Sequence, residues 1–137
     1  MPVLAAVAPG QNPVHYGLAA GSPIPLHAGA AGKAILAHCD GDVIGKLSLD
    51  ALTPETTTQR DDLEHDLALV RERGWAEGEG ERIFDAFGIA APFFEGPHIA
   101  GSVTLTIPRD RKGEIDPARL GDALTRSAAQ ITRLLTL

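Results

Sequence analysis

The chain has 137 residues, 44% of them apolar and 22% charged, with a formal net charge of −6 and one cysteine, Cys39. A pI near 5.2 argues against nucleic-acid binding by the chain alone, which needs a basic patch, and the composition excludes disulfide scaffolds, fibres and disordered chains. A lone cysteine, no apolar run of membrane-span length and a start without signal-peptide character together imply one cytoplasmic domain spanning 1–137, with no membrane partner.

In chain order, Val3 to Ala8 reads as a short strand stopped by Pro9-Gly10, and Val14 to Ala20 as a second strand ending at Gly21-Ser22-Pro23. His27 to Cys39 fits a helix whose first turn is nearly bare of side chains. Gly29 and Gly32 each lower its intrinsic stability by ~1 kcal/mol, which points to close approach by a backbone or a ligand. Asp42 to Leu49 reads as a short helix, and Asp61 to Arg73 as the clearest one, with Thr58 as its N-cap and Gly74 as its C′ residue. Trp75 to Gly80 is acidic and glycine-rich, a loop or an exposed edge strand. Ile83 to Phe94 and Ile99 to Ile107 read as two strands joined at Glu95-Gly96-Pro97-His98. Asp116 as N-cap and Pro117 at the first helical position open a last helix with an apolar stripe at Leu120, Leu124, Ile131 and Leu135.

Several motifs bear on chemistry. Ala28 to Lys33 invites a phosphate-loop reading, but His27 stands where a glycine is needed and Ala34 where a hydroxyl is needed, so that reading fails. Small residues at a helix start either permit tight packing or leave backbone N–H groups free for an anion or carbonyl. Glu77, Glu79 and Glu81 alternate; cation binding and base catalysis are weighed against a solvated loop, which the lack of a second acidic cluster favours. The five histidines, at 15, 27, 38, 65 and 98, have no zinc-ligand spacing, so no metal and no cofactor are expected. Cys39 reads as a buried small hydrophobe. Ser102, Thr104 and Thr106 put hydroxyls on one face of a strand, a pattern that suits a small polar pocket. Arg119, Arg126 and Arg133 form a basic line on the last helix, either a solvated face or a self-association surface.

Taken in order, several blocks resemble the C-terminal effector-binding domain of IclR-type transcription regulators. They are Pro25-Leu26-His27-Ala28 running into Gly32-Lys33-Ala34-Ile35-Leu36-Ala37, then Leu52-Thr53, Leu63, Leu67, Val70-Arg71 and Gly74-Trp75-Ala76, and finally Ile89-Ala90-Ala91-Pro92-Phe93 with the Ser102–Thr106 strand. The resemblance implies an α/β (α+β), GAF- or profilin-like domain with a curved antiparallel sheet flanked by helices. It also implies a pocket for a small-molecule effector, an organic acid or aromatic compound, and assembly as a homodimer or tetramer. DNA would be bound only through an N-terminal winged helix-turn-helix, for which the strand-like start at Val3 leaves no room, so the chain reads as an excised domain or a regulator without its reader.

By the same resemblance the pocket draws on Ala30 and Ala31, the loop before Ile89, the hydroxyls of Thr104 and Thr106, and Tyr16 and Ile24 as apolar wall. Three positions depart from the family pattern. Gly78 stands where an acidic residue is frequent, Gly88 where binders of small oxoacids carry a cysteine, and Asp85 where glycine is usual. The loss of side chains at Gly78 and Gly88 predicts an enlarged pocket and an effector larger than a 2-oxoacid. Its polar end is expected near Thr104, Thr106 and the N–H groups of Ala30 and Ala31. No catalytic residue is assigned. The competing readings are a small enzyme on the same pocket, with Glu81 or Asp85 as base, and an oligomerisation module that binds no ligand.

Overall fold

The computed structural model describes residues 21–137; the two N-terminal strands expected from Val3 and Val14, and Tyr16, lie outside the described residues. Helices α1 (Ala30–Leu36), α2 (Gly41–Lys46) and α3 (Arg60–Arg73) precede strands β1 (Ala76–Glu79), β2 (Ala86–Glu95) and β3 (His98–Pro108). A 3-10 turn at Arg109–Glu114 leads into α4 (Pro117–Leu135). Among the described residues the strands form an antiparallel sheet in the order β1-β2-β3. Mixed α/β architecture with an antiparallel sheet and flanking helices is what the sequence implies.

Each face of the sheet buries a different core. Leu36, Leu63, Leu67 and Val70 from α1 and α3 pack with Ala76 and Ala90 on one side. Trp75, Phe87, Ile89 and Ala91 pack with Ala128 of α4 on the other, flanked by half-buried Leu120 and Leu124. The small residues of β2 let helices approach both faces of the strand closely.

Helix ends follow local chemistry where a strong cap exists. The Asp116 side chain accepts from the N–H groups of Ala118 and Arg119, with Pro117 at the first turn, as the sequence predicts. Gly74 ends α3 at φ 91°, its N–H bonded to the Val70 carbonyl at 2.8 Å. Thr58 is not the N-cap of α3. Gln59 occupies that position without a side-chain bond, and Arg60, the first helical residue, donates to the carbonyls of Ile44 and Leu47. That tether to α2 sets the helix start.

Other boundaries differ for similar reasons. β2 starts at Ala86 rather than Ile83, because the Ala86 N–H closes a turn onto the Ile83 carbonyl at 3.1 Å. Of the two readings of Trp75–Gly80, the edge strand holds among the described residues: β1 pairs with β2 from Ala76 to Glu79, though with Ala76 and Gly78 buried rather than exposed. Cys39 is half-buried, and its thiol donates to the Ile35 carbonyl at 3.4 Å. Arg119, Arg126 and Arg133 are exposed, which both a solvated face and a self-association surface require.

Gly121 is the close-packing point between α4 and the sheet. A Cβ there would press on the Trp75 indole, with Cγ at 2.7 Å, and the indole is itself covered by the Arg73 guanidinium at 3.8 Å from its centroid. Gly121→Ala is expected to destabilise the domain by about 2 kcal/mol, because overpacking outweighs the helix-propensity gain of ~1 kcal/mol. Urea unfolding followed by emission of the single tryptophan checks this; an unchanged midpoint would show that the indole simply tilts away.

Candidate functional site

A cleft opens between the start of α1 and the sheet. Gly29, Ala30, Ala31, Gly78, Glu81, Arg82, Ile83, Ala86, Gly88, Thr104 and Thr106 line it. Of the residues expected to form the pocket, Ala30, Ala31, Gly78, Gly88, Thr104 and Thr106 therefore come together. Ile24 is buried but is not among the lining residues.

Backbone geometry builds the floor. Gly29 has φ 90° and ψ 157°, a conformation essentially restricted to glycine. It turns the chain into α1 and lets the Arg82 side chain lie over it, with Arg82 Cβ 3.5 Å and Nε 3.6 Å from where a Gly29 Cβ would stand. On the sheet side, Ser102 donates from Oγ to the Ala31 carbonyl at 3.0 Å, which ties β3 to α1. Thr104 and Thr106, on the same face of β3, open into the cleft.

The cavity is small, about 30 Å³, room for about two waters. Gly78 and Gly88 line it without side chains, and the room beside each differs. A Cβ at Gly78 would meet the Ala30 nitrogen at 2.9 Å, Gly29 Cα at 3.1 Å and Glu81 Oε1 at 3.2 Å. The start of α1 and the Glu81 carboxylate therefore lie against Gly78 and leave no room for a side chain there. Gly88 is less crowded, with Ala30 Cβ at 3.5 Å and Thr106 Oγ1 at 3.9 Å from its notional Cβ.

The acidic run is not a solvated loop; the Glu79 and Glu81 carboxylates are held by partners far along the chain. Glu81 accepts from the Gly29 N–H through Oε1 at 3.0 Å and pairs through Oε2 with Lys33 Nζ at 3.0 Å. Lys33, on the buried face of α1, also reaches Asp66 at 3.5 Å. Glu79 sits between Arg109 at 3.0 Å and Lys112 at 2.6 Å. Hydrogen bonds from Lys112 and then Arg109 hold its carboxyl below the ordinary value of 4.5.

The segment from Gly80 to Asp85 that carries Glu81 and Arg82 is fastened on both sides. Thr53 and Thr56 donate from Oγ1 to the carbonyls of Gly80 and Glu81. Arg109 donates through its backbone N–H to the Asp85 carbonyl at 2.7 Å and through its guanidinium to the Phe84 carbonyl at 3.3 Å. Asp85 itself is exposed and away from the cleft lining. Both Glu81 oxygens are engaged, so its carboxylate does not stand as a free base. Among the described residues no group of histidines, cysteines and carboxylates could hold a metal ion.

Arg82, Ile83 and Ala86 lie in the stretch before Ile89 that the resemblance assigns to the pocket, but the sequence singles out none of them. The only signal was their place in the loop before Ile89, with Arg82 the one cation following the acidic run.

The family described as "Bacterial transcriptional regulator IclR C-terminal" matches residues 3–133. The Pca operon regulatory protein of Acinetobacter baylyi is 31% identical over 101 residues, covering 70% of this chain and 36% of that protein. The chain thus spans well under half the length of that relative. The crystal structure of Thermotoga maritima IclR superposes with a TM-score of 0.88 at 23% identity, covering 95% of this chain and 55% of the other. An IclR homolog from Microbacterium hydrocarbonoxydans, crystallised with 4-hydroxybenzoate, superposes with a TM-score of 0.78 at 23% identity, covering 91% of this chain and 52% of the other. Among the described residues no helix is long and apolar enough to cross a membrane.

Proposed function

The chain belongs to the family of bacterial transcriptional regulator IclR C-terminal domains, and on that premise we propose that it is the ligand-sensing part of such a regulator. A small organic effector binds in the cleft between α1 and the sheet, with the Thr104 and Thr106 hydroxyls facing its polar end and Ala30, Ala31, Gly78 and Gly88 forming small-residue walls. The observation that carries this reading is the convergence of those residues on one cleft. The 4-hydroxybenzoate held by a fold neighbour supports an effector of aromatic-acid size.

Such a ligand needs more room than the cavity of about 30 Å³ offers, so its binding shifts the Gly80–Asp85 segment. That displacement is a route from ligand to output: the ligand favours one of two conformations, and the regulator's operator affinity follows by differential binding. The DNA-binding domain lies outside this chain on this reading, and the regulator acts in the cytoplasm as a homodimer or tetramer.

Thermal-shift titration of the domain against small oxoacids, phenolics and aromatic acids tests the reading. A ligand at ~100 times its dissociation constant stabilises by about 2.7 kcal/mol. Thr104→Val is expected to weaken a bound ligand about fivefold, the worth of one hydrogen bond of about 1 kcal/mol. No saturable shift with any member of the panel would overturn the sensing role; unchanged affinity in Thr104→Val would move the ligand's polar end elsewhere.

A further inference from the structure

Arg82 stands apart from the other arginines. Arg60, Arg71 and Arg73 donate to main-chain carbonyls, Arg109 and Arg111 pair with carboxylates, and Arg119, Arg126 and Arg133 are exposed. Arg82 is half-buried in the cleft wall, and among the described residues its guanidinium has no hydrogen-bond or ion-pair partner. A guanidinium carries five donors in a planar fork and stays cationic. Leaving that fork partly desolvated and unpaired is unfavourable, and burial pulls its pKa below the ordinary arginine range.

The nearby carboxylate does not answer this charge. Glu81, the acidic residue of the cleft lining, already holds Lys33 and the Gly29 N–H. The remaining lining residues are glycine, alanine, isoleucine and threonine, so the cleft has one uncompensated positive charge. Its other polar wall carries the neutral hydroxyls of Thr104 and Thr106.

We propose that Arg82 is the anion anchor of the cleft and that the ligand is an organic carboxylate, its carboxylate against the guanidinium and a hydroxyl or carbonyl toward Thr104 and Thr106. This rests on the ligand-sensing reading and gives it a chemical class. A planar carboxylate matches the guanidinium fork with two parallel hydrogen bonds. A neutral amide of the same shape cannot reproduce that pairing, so Arg82 sets selectivity by charge.

The test uses 4-hydroxybenzoate with its neutral amide 4-hydroxybenzamide, and pyruvate as a smaller carboxylate. The readouts are calorimetric affinity and the Arg82 Nε–H resonance of the labelled domain. The domain is expected to bind a carboxylate at least about tenfold tighter than the amide, with the resonance shifting on saturation. Arg82→Gln is expected to abolish that preference while the ligand-free melting temperature stays level or rises, because an unpaired, half-buried charge has been removed. Arg82→Lys should restore part of the preference.

A carboxylate bound equally well by Arg82→Gln but weakened by Thr104→Val overturns the anchor and leaves the cleft as the ligand site. One indifferent to both substitutions overturns the cleft reading as well. If neither carboxylate moves the Nε–H resonance at millimolar concentration, the anion site does not exist. A lowered melting temperature of ligand-free Arg82→Gln would show a structural role and also overturn the proposal.

Discussion

Gly32→Ala is expected to destabilise the domain by about 3 kcal/mol, the upper range for overpacking. Gly32 lies inside α1, where alanine would ordinarily gain ~1 kcal/mol of helix propensity. The gain is cancelled by what lies beneath. A methyl group there would press into the Pro25 carbonyl oxygen, with Leu26 Cα at 2.9 Å and the Pro25 carbonyl carbon at 3.0 Å. All three are backbone atoms, so no rotamer change relieves the contact. Either α1 lifts or the Pro25-Leu26 segment moves away, and both shift Ala30 and Ala31 at the cleft. The urea midpoint of Gly32→Ala against wild type checks the stability, and ligand titration of the folded fraction checks the cleft. A change below about 0.5 kcal/mol, the range of an ordinary surface substitution, would mean that α1 does not seat on this segment.

The same position shows what the sequence could disclose. Two glycines in a helical pattern signalled a close approach, but not whether a ligand or the chain itself approached. Gly32 meets the Pro25-Leu26 backbone, whereas Gly29 turns the chain and lies under Arg82. Elements with local determinants were legible: Asp116-Pro117 opens α4 and Gly74 closes α3 because their partners lie within four residues. The acidic run was misjudged for the opposite reason. Its partners are remote, with Lys33 separated from Glu81 by 48 positions, Arg109 from Glu79 by 30 and Lys112 from Glu79 by 33. Charge alternation alone cannot reveal such pairings. The hydroxyl face of β3 was legible because a strand's period of two is local, and its opposition to α1 came only with the family resemblance.

Room at the cleft likewise depends on remote contacts that the sequence does not print. A missing side chain adds room only where its surroundings stand off, and at Gly78 the Ala30 nitrogen, Gly29 Cα and Glu81 crowd the position. The cleft therefore inherits its shape from the tether that holds Glu81 and α1 together, and that tether links the stability of the fold to its proposed function.

Lys33→Met is the sharpest probe of the tether. The Lys33 side chain is 4% exposed and that of Glu81 13%, so their 3.0 Å pair is largely out of water. Removing one member of such a pair strands the other, and the expected loss is about 3–5 kcal/mol. Asp66, at 34% exposure, stays partly hydrated and adds little to the penalty. Glu81→Gln should be milder, because the amide oxygen can still accept from the Gly29 N–H and Lys33 retains Asp66. The double variant Lys33→Met with Glu81→Gln should be more stable than Lys33→Met alone, since no stranded carboxylate remains. Denaturant unfolding of the full double-mutant cycle measures this, with an expected coupling of about 1–3 kcal/mol between residues in direct contact. Additive losses would mean that the pair is wet and that α1 is held by packing alone. Because Arg82 follows Glu81 directly, the cycle also reads out function: Lys33→Met should weaken carboxylate binding, and the double variant should recover only the part that depends on where the loop rests.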